Sequence, residues 1–131
     1  MNTNSLERIF TQHHVWLLPI NHDEYILGIS DFAQQQLGDI VFVELPAIED
    51  KTEPGNACAV VESVKSASDV ICPVSGSVVE VNTELVDSPE IINESPYEQG
   101  WIIKIKADVN TVIKGKMILD EYNNYLSSNS D

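Results

Sequence analysis

Basic residues are scarce in this sequence: its 131 residues include 7 lysines and arginines against 21 aspartates and glutamates, a formal net charge of −14. Such an excess of negative charge repels phosphate backbones and anionic lipid headgroups, so we expect neither a nucleic-acid partner nor a membrane-surface partner. Hydrophobic residues make up 43% of the chain, which is too much for a disordered acidic tail. The composition therefore indicates one folded domain whose protein partners offer basic faces.

Cysteines, metal-ligand clusters and long apolar runs are also rare or missing. The two cysteines, Cys58 and Cys72, are too few for a disulfide framework, and the three histidines lie far from them in sequence, so we expect no metal site. No apolar run approaches the roughly 20 residues that span a bilayer. The first eight residues lack the basic-then-apolar pattern of a signal peptide, and we therefore expect a cytoplasmic protein.

Short β-strand patterns separated by turn signals dominate the sequence. Strands are predicted at residues 15–18, 25–29, 40–45, 57–64, 69–72, 77–81 and 101–106, with a connector at 49–55 and a loop at 82–89. In the last of these strands, alternation predicts that Ile103 and Ile105 face the core while Ile102 and Lys104 face the other way. Many short strands with regularly spaced turns favour a sandwich or a flattened barrel.

Two helices complete the predicted secondary structure. Ser30 or Asp31 caps a short helix after the second strand, and Gly38 ends it in a left-handed conformation. Apolar residues at steps of three and four predict a C-terminal amphipathic helix; they are Met117, Ile118, Tyr122, Tyr125 and Leu126. We expect residues 1–12 to be an N-terminal tail, residues 13–126 to form the domain and residues 127–131 to be a C-terminal tail.

One lysine stands alone between two apolar strands. Lys65 is the only lysine between Lys51 and Lys104, and the strand pattern around it places it at the tip of a hairpin. A lysine in a turn is usually only a solvated residue. Two features favour a modification site instead, namely its isolation in so acidic a chain and the apolar Val64 beside it, where ordinary tight turns prefer Asn-Gly or Asp-Gly.

The residues around this lysine carry a resemblance to a known family. Residues 61–69, VESVKSASD, resemble the lipoylation segment of the glycine cleavage system H protein family, and the similarity extends to GISD at 28–31, VFVELP at 41–46, PVSG at 73–76 and GW at 100–101. It covers roughly residues 13–126. The resemblance implies a mostly β fold, the lipoyl-domain barrel-sandwich hybrid of two antiparallel sheets, with an added C-terminal helix.

The resemblance also implies a function, that of a non-catalytic carrier with lipoic acid amide-linked to Lys65. Its arm would take an aminomethyl group from glycine decarboxylase (P protein) to aminomethyltransferase (T protein), and dihydrolipoamide dehydrogenase (L protein) would reoxidise it. A lipoyl or octanoyl transferase, or a lipoate ligase, would attach the group, and the carrier would be monomeric. The residues implied at the cofactor are Glu62, Ser63, Val64, Ala67 and Asp69, with His14 and Trp16 in the groove of the arm.

One departure from the family pattern concerns the amine of the carried group. Members of the family that it resembles usually have Ser-His-Glu-Trp where this chain has His13-His14-Val15-Trp16, and Val15 cannot replace the glutamate that helps to hold the amine. Losing a charged acceptor costs on the order of 1–3 kcal/mol if the amine is buried there. Either Asp69 substitutes for the glutamate, or the chain acts mainly as a lipoate relay to 2-oxoacid dehydrogenases. Asp69 could equally be a turn-closing residue, and Trp16 could be core packing.

Other interpretations stay open on the residues alone. A biotinyl domain usually has methionines beside its lysine, a 2-oxoacid dehydrogenase lipoyl domain is usually fused to a catalytic chain, and an unmodified protein-binding β-sandwich would carry no adduct. An independent enzyme is disfavoured, because the sequence has no nucleophile–base pair and no phosphate-binding glycine loop. Cys58 and Cys72 lie seven residues on either side of Lys65, so they face each other across the hairpin as packing residues or as a redox pair.

Overall fold

The computed structural model describes residues 8–129, which form nine strands and four helices. The strands are β1 (Ile9–Phe10), β2 (Val15–Pro19), β3 (Glu24–Ile29), β4 (Ile40–Glu44), β5 (Lys51–Thr52), β6 (Ala57–Ser63), β7 (Ala67–Ile71), β8 (Gly76–Val81) and β9 (Ile103–Ala107). The helices are α1 (Asp31–Leu37), α2 (Glu84–Asp87), α3 (Ile91–Glu94) and α4 (Leu119–Asn129). No helix in this part of the chain is long and apolar enough to cross a membrane.

Two antiparallel sheets build the domain, which confirms the predicted fold class. The larger sheet has the strand order β1-β2-β3-β9-β8-β5, and the smaller has the order β4-β6-β7. Their facing sides bury one apolar core, in which Leu17, Leu27 and Ile105 of the larger sheet pack with Val43 and Val61 of the smaller. Alternating side chains fill the space between two such layers, as expected for a sandwich.

The C-terminal helix covers the opposite side of the larger sheet. Tyr122 of α4 is buried, and its ring stacks on Phe10 of β1 with the ring centroids 4.7 Å apart. Trp16 of β2 is buried in the same second cluster, and its indole N–H donates to the carbonyl oxygen of Pro96 at 3.0 Å. Gly28 pairs with Trp16 across the strands, and a Cβ built there would lie 2.7 Å from the indole ring. Any side chain at residue 28 would therefore overlap the Trp16 ring, so the close approach of the two strands requires glycine there.

Several sequence predictions of secondary structure were wrong in detail. The predicted connector at 49–55 contains β5, and the predicted loop at 82–89 contains α2, while α3 was not predicted. Strand β9 begins at Ile103, and Ile102 before it is fully buried rather than turned to solvent. Short strands and four-residue helices lack enough positions to show a period in the sequence.

The predicted domain boundaries also need correction. Ile9–Phe10 pairs with β2, and the buried Phe10 contributes to the second cluster, so the folded domain includes residues expected to be a tail. Residues 1–7 of that tail lie outside the described residues. The last helix continues to Asn129, past the expected boundary at 127. Met117 precedes the helix, and its backbone instead pairs with that of Phe10 in β1 through two hydrogen bonds.

Candidate functional site

Lys65 lies at the tip of the hairpin formed by β6 and β7, as the sequence predicts. The last paired residues are Glu62 and Ala67, and residues 64–66 connect the strands. Lys65 is exposed, and 69% of Val64 beside it is also exposed. A side chain in this position projects its amine into solvent from the end of a paired ladder.

Ser63 holds the tip in one conformation. Its hydroxyl oxygen accepts hydrogen bonds from the backbone N–H of Lys65 at 3.1 Å and of Ser66 at 3.2 Å. Its own backbone N–H donates to the carbonyl oxygen of Ser66 at 2.8 Å. Because Ser63 is 9% exposed, these bonds form largely out of water, where an unpaired group costs most. The lysine therefore stands on a rigid base.

A second contact ties the tip to the end of α1. The backbone N–H of Val64 donates to the carbonyl oxygen of Asp39 at 3.1 Å. Gly38 ends the helix at φ 82°, as predicted, and a Cβ built there would lie 3.6 Å from Cε of Lys65. The lysine stem thus passes over the helix terminus, on the side of the hairpin where a groove opens.

The groove has a volume of about 290 Å³ and lies between α1, β7 and the segment that leads into β2. Its lining is mostly apolar, with a few polar side chains. The lining residues are His13, His14, Val15, Ile29, Phe32, Ala33, Gln36, Leu37, Val61, Ser68, Asp69 and Val70. Its size and apolar walls suit a thin flexible chain with a small polar end.

The sequence-predicted site residues divide between tip, groove and core. Ser63, Val64 and Lys65 form the tip, and His14 lines the groove, while Asp69 lies exposed at the groove's rim. The remaining two tip neighbours, Glu62 and Ala67, pair on the outer face of the smaller sheet, away from the buried Val61.

Trp16 does not line the groove, and its placement there was wrong. Val15 and Trp16 are consecutive in β2, so their side chains point to opposite faces of the sheet. Val15 faces the groove, whereas Trp16 is 1% exposed in the second cluster with the Arg8 guanidinium 4.6 Å from its ring. Trp16 therefore has a packing role.

A hydrogen-bond chain fixes His14 in the groove wall. His14 has a positive φ of 65°, and its Nδ1 lies 2.8 Å from the Tyr122 hydroxyl oxygen. The same hydroxyl lies 2.7 Å from Oγ of Ser30, which also accepts from the backbone N–H of Ala33. The sequence could not link His14 to Tyr122, since they are 108 positions apart and Tyr122 reads only as part of an apolar helix face.

Burial keeps the two titratable side chains of this hydrogen-bond network, His14 and Tyr122, uncharged near pH 7. Desolvation raises the pKa of Tyr122 to about 12, so the phenol keeps its proton. Desolvation, with a smaller contribution from His13, lowers the pKa of His14. His14 thus presents a neutral imidazole to the groove.

We expect stability to fall as the pH drops from 7 to 5, partly through His14. Because its folded pKa lies below the unfolded value, the unfolded chain binds the proton more readily, so folding is favoured above pH 6.5 and progressively less below it. Urea unfolding at several pH values gives the free energy of unfolding as a function of pH. This free energy should fall less steeply between pH 7 and pH 5 for His14→Asn, because asparagine does not titrate. An equal pH dependence in the parent and the variant would contradict this role of His14.

Cys58 and Cys72 lie at the other end of the hairpin from Lys65, and both are free. Cys58 occupies an irregularity in the pairing of β6 with β7, and Cys72 is fully buried. Hydrogen bonding to Cys72, together with burial, raises the pKa of the Cys58 thiol. The thiols thus face each other, as predicted. A count of two free thiols under non-reducing conditions would favour packing over a redox pair.

Among the described residues, no three His, Cys, Asp or Glu side chains are placed to hold a metal ion.

Comparison with known proteins gives one consistent family. A family model described as glycine cleavage H-protein matches residues 8–129. The glycine cleavage system H protein of Psychromonas ingrahamii is 50% identical over 114 residues, which are 87% of this chain and 91% of that protein. The protein of the same name from Halothermothrix orenii is 43% identical over 118 residues, covering 90% and 91%. The crystal structure of a glycine cleavage system H protein from Mycobacterium marinum superposes with a TM-score of 0.84 at 34% identity, covering 92% of this chain and 97% of that one.

Proposed function

Because the chain belongs to the glycine cleavage H-protein family, we propose that Lys65 carries a lipoyl group, and that the chain transfers an aminomethyl group from glycine decarboxylase to aminomethyltransferase. Members of this family are carriers rather than catalysts, and dihydrolipoamide dehydrogenase completes the set of partners. The observation that carries the proposal is the exposed amine of Lys65 on a rigid tip beside an apolar groove.

The residues present fit a lipoyl group. When bound, lipoic acid supplies a disulfide that accepts the aminomethyl group together with two electrons from glycine. Ser68 and Asp69 of the groove follow Lys65 by three and four residues, or roughly 10–14 Å along the strand, a distance that a lysine stem with a lipoyl chain spans. The groove therefore lies within reach of the arm's end.

The chain's own contribution is mechanical and protective. The Ser63 hydrogen bonds hold the base of the arm, so the tethered end samples a small volume and meets a docked active site at high effective concentration. The apolar groove walls shelter the arm's end from water between partners. The cofactor and the partner enzymes perform the chemical steps themselves.

We propose that Asp69 holds the amine of the carried group. It is the only carboxylate that lines the groove in the described part of the chain, and Val15, at 1% exposure, offers no acceptor. A carboxylate at the rim can bind an ammonium group through a charge-assisted hydrogen bond. Its exposure limits this gain, since water competes for both partners.

Replacing Val15 with glutamate should prolong retention of the aminomethyl group. A second carboxylate in the groove wall adds a charged acceptor, and we expect the half-life of the loaded carrier to rise about tenfold. The measurement is release of formaldehyde and ammonia from the loaded protein over time. Val15→Gln, with the same length but no charge, is the matched control, and equal half-lives for both variants would refute the argument.

Reconstitution tests the proposed function as a whole. Lipoylated chain is supplied to purified glycine decarboxylase, and exchange of the glycine carboxyl carbon with labelled bicarbonate is measured. We expect exchange that depends on the lipoylated chain. Absent exchange, with intact transfer of lipoate to 2-oxoacid dehydrogenase acceptors, would overturn the proposal in favour of a lipoate relay.

We further propose that the carrier works as a monomer in the cytoplasm. Helix α4 already covers the outer side of the larger sheet, so that face is not left for a second copy. Two cysteines without a disulfide are typical of a reducing compartment. Size-exclusion chromatography with light scattering tests the first point, and fractionation of the source cells tests the second.

A further inference from the structure

Three apolar side chains are exposed next to Lys65, and their role is not explained by the carrier function. Val41 is 53% exposed, Phe42 is 49% exposed and Val64 is 69% exposed. Val64 precedes Lys65 at the tip, and its backbone N–H bonds to Asp39, two residues before Val41. We call Val41, Phe42 and Val64 the tip patch.

A β-bulge turns two consecutive residues of β4 outward. Ile40 pairs with Ser63, yet Phe42 pairs with Glu62, so β4 holds one extra residue at this point. The bulge places Val41 and Phe42 together opposite Glu62, and both are exposed although they are neighbours in a strand. The strand resumes its alternation at Val43, which is buried. The local backbone thus presents apolar surface beside the lysine.

Acidic side chains surround the tip patch. Asp39 and Glu44 are exposed at either end of the bulged segment, and the half-buried Glu62 lies across from Phe42. None of these carboxylates forms an ion pair with a lysine or arginine among the described residues. An apolar centre with a charged rim of one sign is the usual anatomy of a protein-binding surface, and its complement is an apolar pocket bordered by basic residues.

We propose that the tip patch is the docking surface for the enzyme that acylates Lys65, and that this enzyme presents an apolar pocket with a basic border. The inference rests on the proposed function, since it requires Lys65 to be the acylated residue. The decarboxylase and the other partners act on the far end of the arm. Only an enzyme that acts on Nζ itself must bury the residues next to the lysine, Val64 and the adjoining strand β4.

The acylation step sets how close that enzyme must come. The Lys65 nitrogen attacks the carbonyl carbon of an acyl adenylate, the bond from this carbon to the AMP oxygen breaks, and the amide bond forms. Two protons leave the ammonium nitrogen, and no oxidation or reduction occurs. The donor carbonyl must lie within about 3–3.5 Å of Nζ. An enzyme held at this distance covers the tip, and burial of Phe42 and Val64 then contributes to binding.

The test measures initial rates of Lys65 acylation by a purified lipoate–protein ligase with lipoate and ATP, over a range of carrier concentrations. We expect Phe42→Ser to lower kcat/KM about tenfold, mainly through KM, and Phe42→Leu to retain most of the rate. Ile48→Ser is the matched control, because Ile48 is 57% exposed but follows the far end of β4. Val64→Ser tests the patch independently should Phe42→Ser change the thermal unfolding midpoint.

Each variant is then loaded completely with excess ligase and tested in the bicarbonate exchange assay. This second assay distinguishes a failure of the docking proposal from a failure of the carrier function. We expect loaded Phe42→Ser to support exchange at the parent rate. Acylation of Phe42→Ser and Val64→Ser at the parent rate would overturn the docking surface while leaving the carrier function intact. If the fully loaded variants lost as much activity in the exchange assay as in acylation, the tip patch could not be assigned to the acylating enzyme alone, and the proposal would be overturned. A parent chain that is never acylated would remove the proposed function itself.

Discussion

Replacing Lys65 with arginine is expected to abolish carrier activity completely. Arginine keeps the positive charge and a stem of similar length at the hairpin tip, so the fold and the surface charge are preserved. Its guanidinium stays protonated and delocalised near pH 7, and it cannot form the amide that a lysine amine forms. We expect no acyl adduct and no bicarbonate exchange above the background of decarboxylase alone.

The matched control for this variant is Lys51→Arg. Lys51 is also an exposed lysine in a β-rich segment, but it lies in β5 on the other sheet. Full exchange by Lys51→Arg, with none by Lys65→Arg, would assign the effect to the tip. Residual exchange by Lys65→Arg would show that another group carries the intermediate, and the site assignment would fall.

Replacing Gly76 with alanine should have the largest effect on stability. Gly76 is buried at the start of β8, where it pairs with both Thr52 of β5 and Ala107 of β9. A Cβ there would overlap the carbonyl oxygen of Lys106 and lie 2.9 Å from its carbonyl carbon. Since the atoms that a Cβ would meet belong to the backbone of the larger sheet, no side-chain rotation relieves the overlap. We expect a loss of about 3 kcal/mol or more in the free energy of unfolding, measured by urea titration.

Gly55→Ala gives the comparison for that experiment. Gly55 has φ 89° in a connection, and a Cβ there meets nothing within 4 Å. Only the backbone conformation is penalised, which costs about 1 kcal/mol. Equal losses from the two substitutions would mean that the sheet at Gly76 accommodates a methyl group, contrary to the packing described.

The sequence predicts the hairpin at Lys65 well because the signals there are local. Two runs of strand-forming residues flank a few small residues at the turn. The signals for α1 are equally local, because Ser30 and Gly38 cap its two ends, as observed. Helices α2 and α3 were missed because four residues cannot display a helical period. Their stability comes from burying Leu85 and Ile92 in the core, and this is a tertiary effect that no local pattern reports.

The groove could be predicted only in part. The resemblance to the family brought His14, Val15 and Asp69 together, but it also placed Trp16 there. Strand alternation separates Trp16 from Val15, while the positive φ of His14, just before β2, turns its side chain to the groove regardless of that alternation. The tip patch was not predicted, because the bulge at Val41 depends on how β4 pairs with β6.

Attachment of the lipoyl group to Lys65 is tested most directly by peptide mapping, with mass spectrometry, of the chain purified from cells competent in lipoylation. The sequence has six lysines, and we expect one lipoyl adduct, on the peptide that contains Lys65. An unmodified Lys65 in such cells, or an adduct on any other lysine, would contradict this expectation.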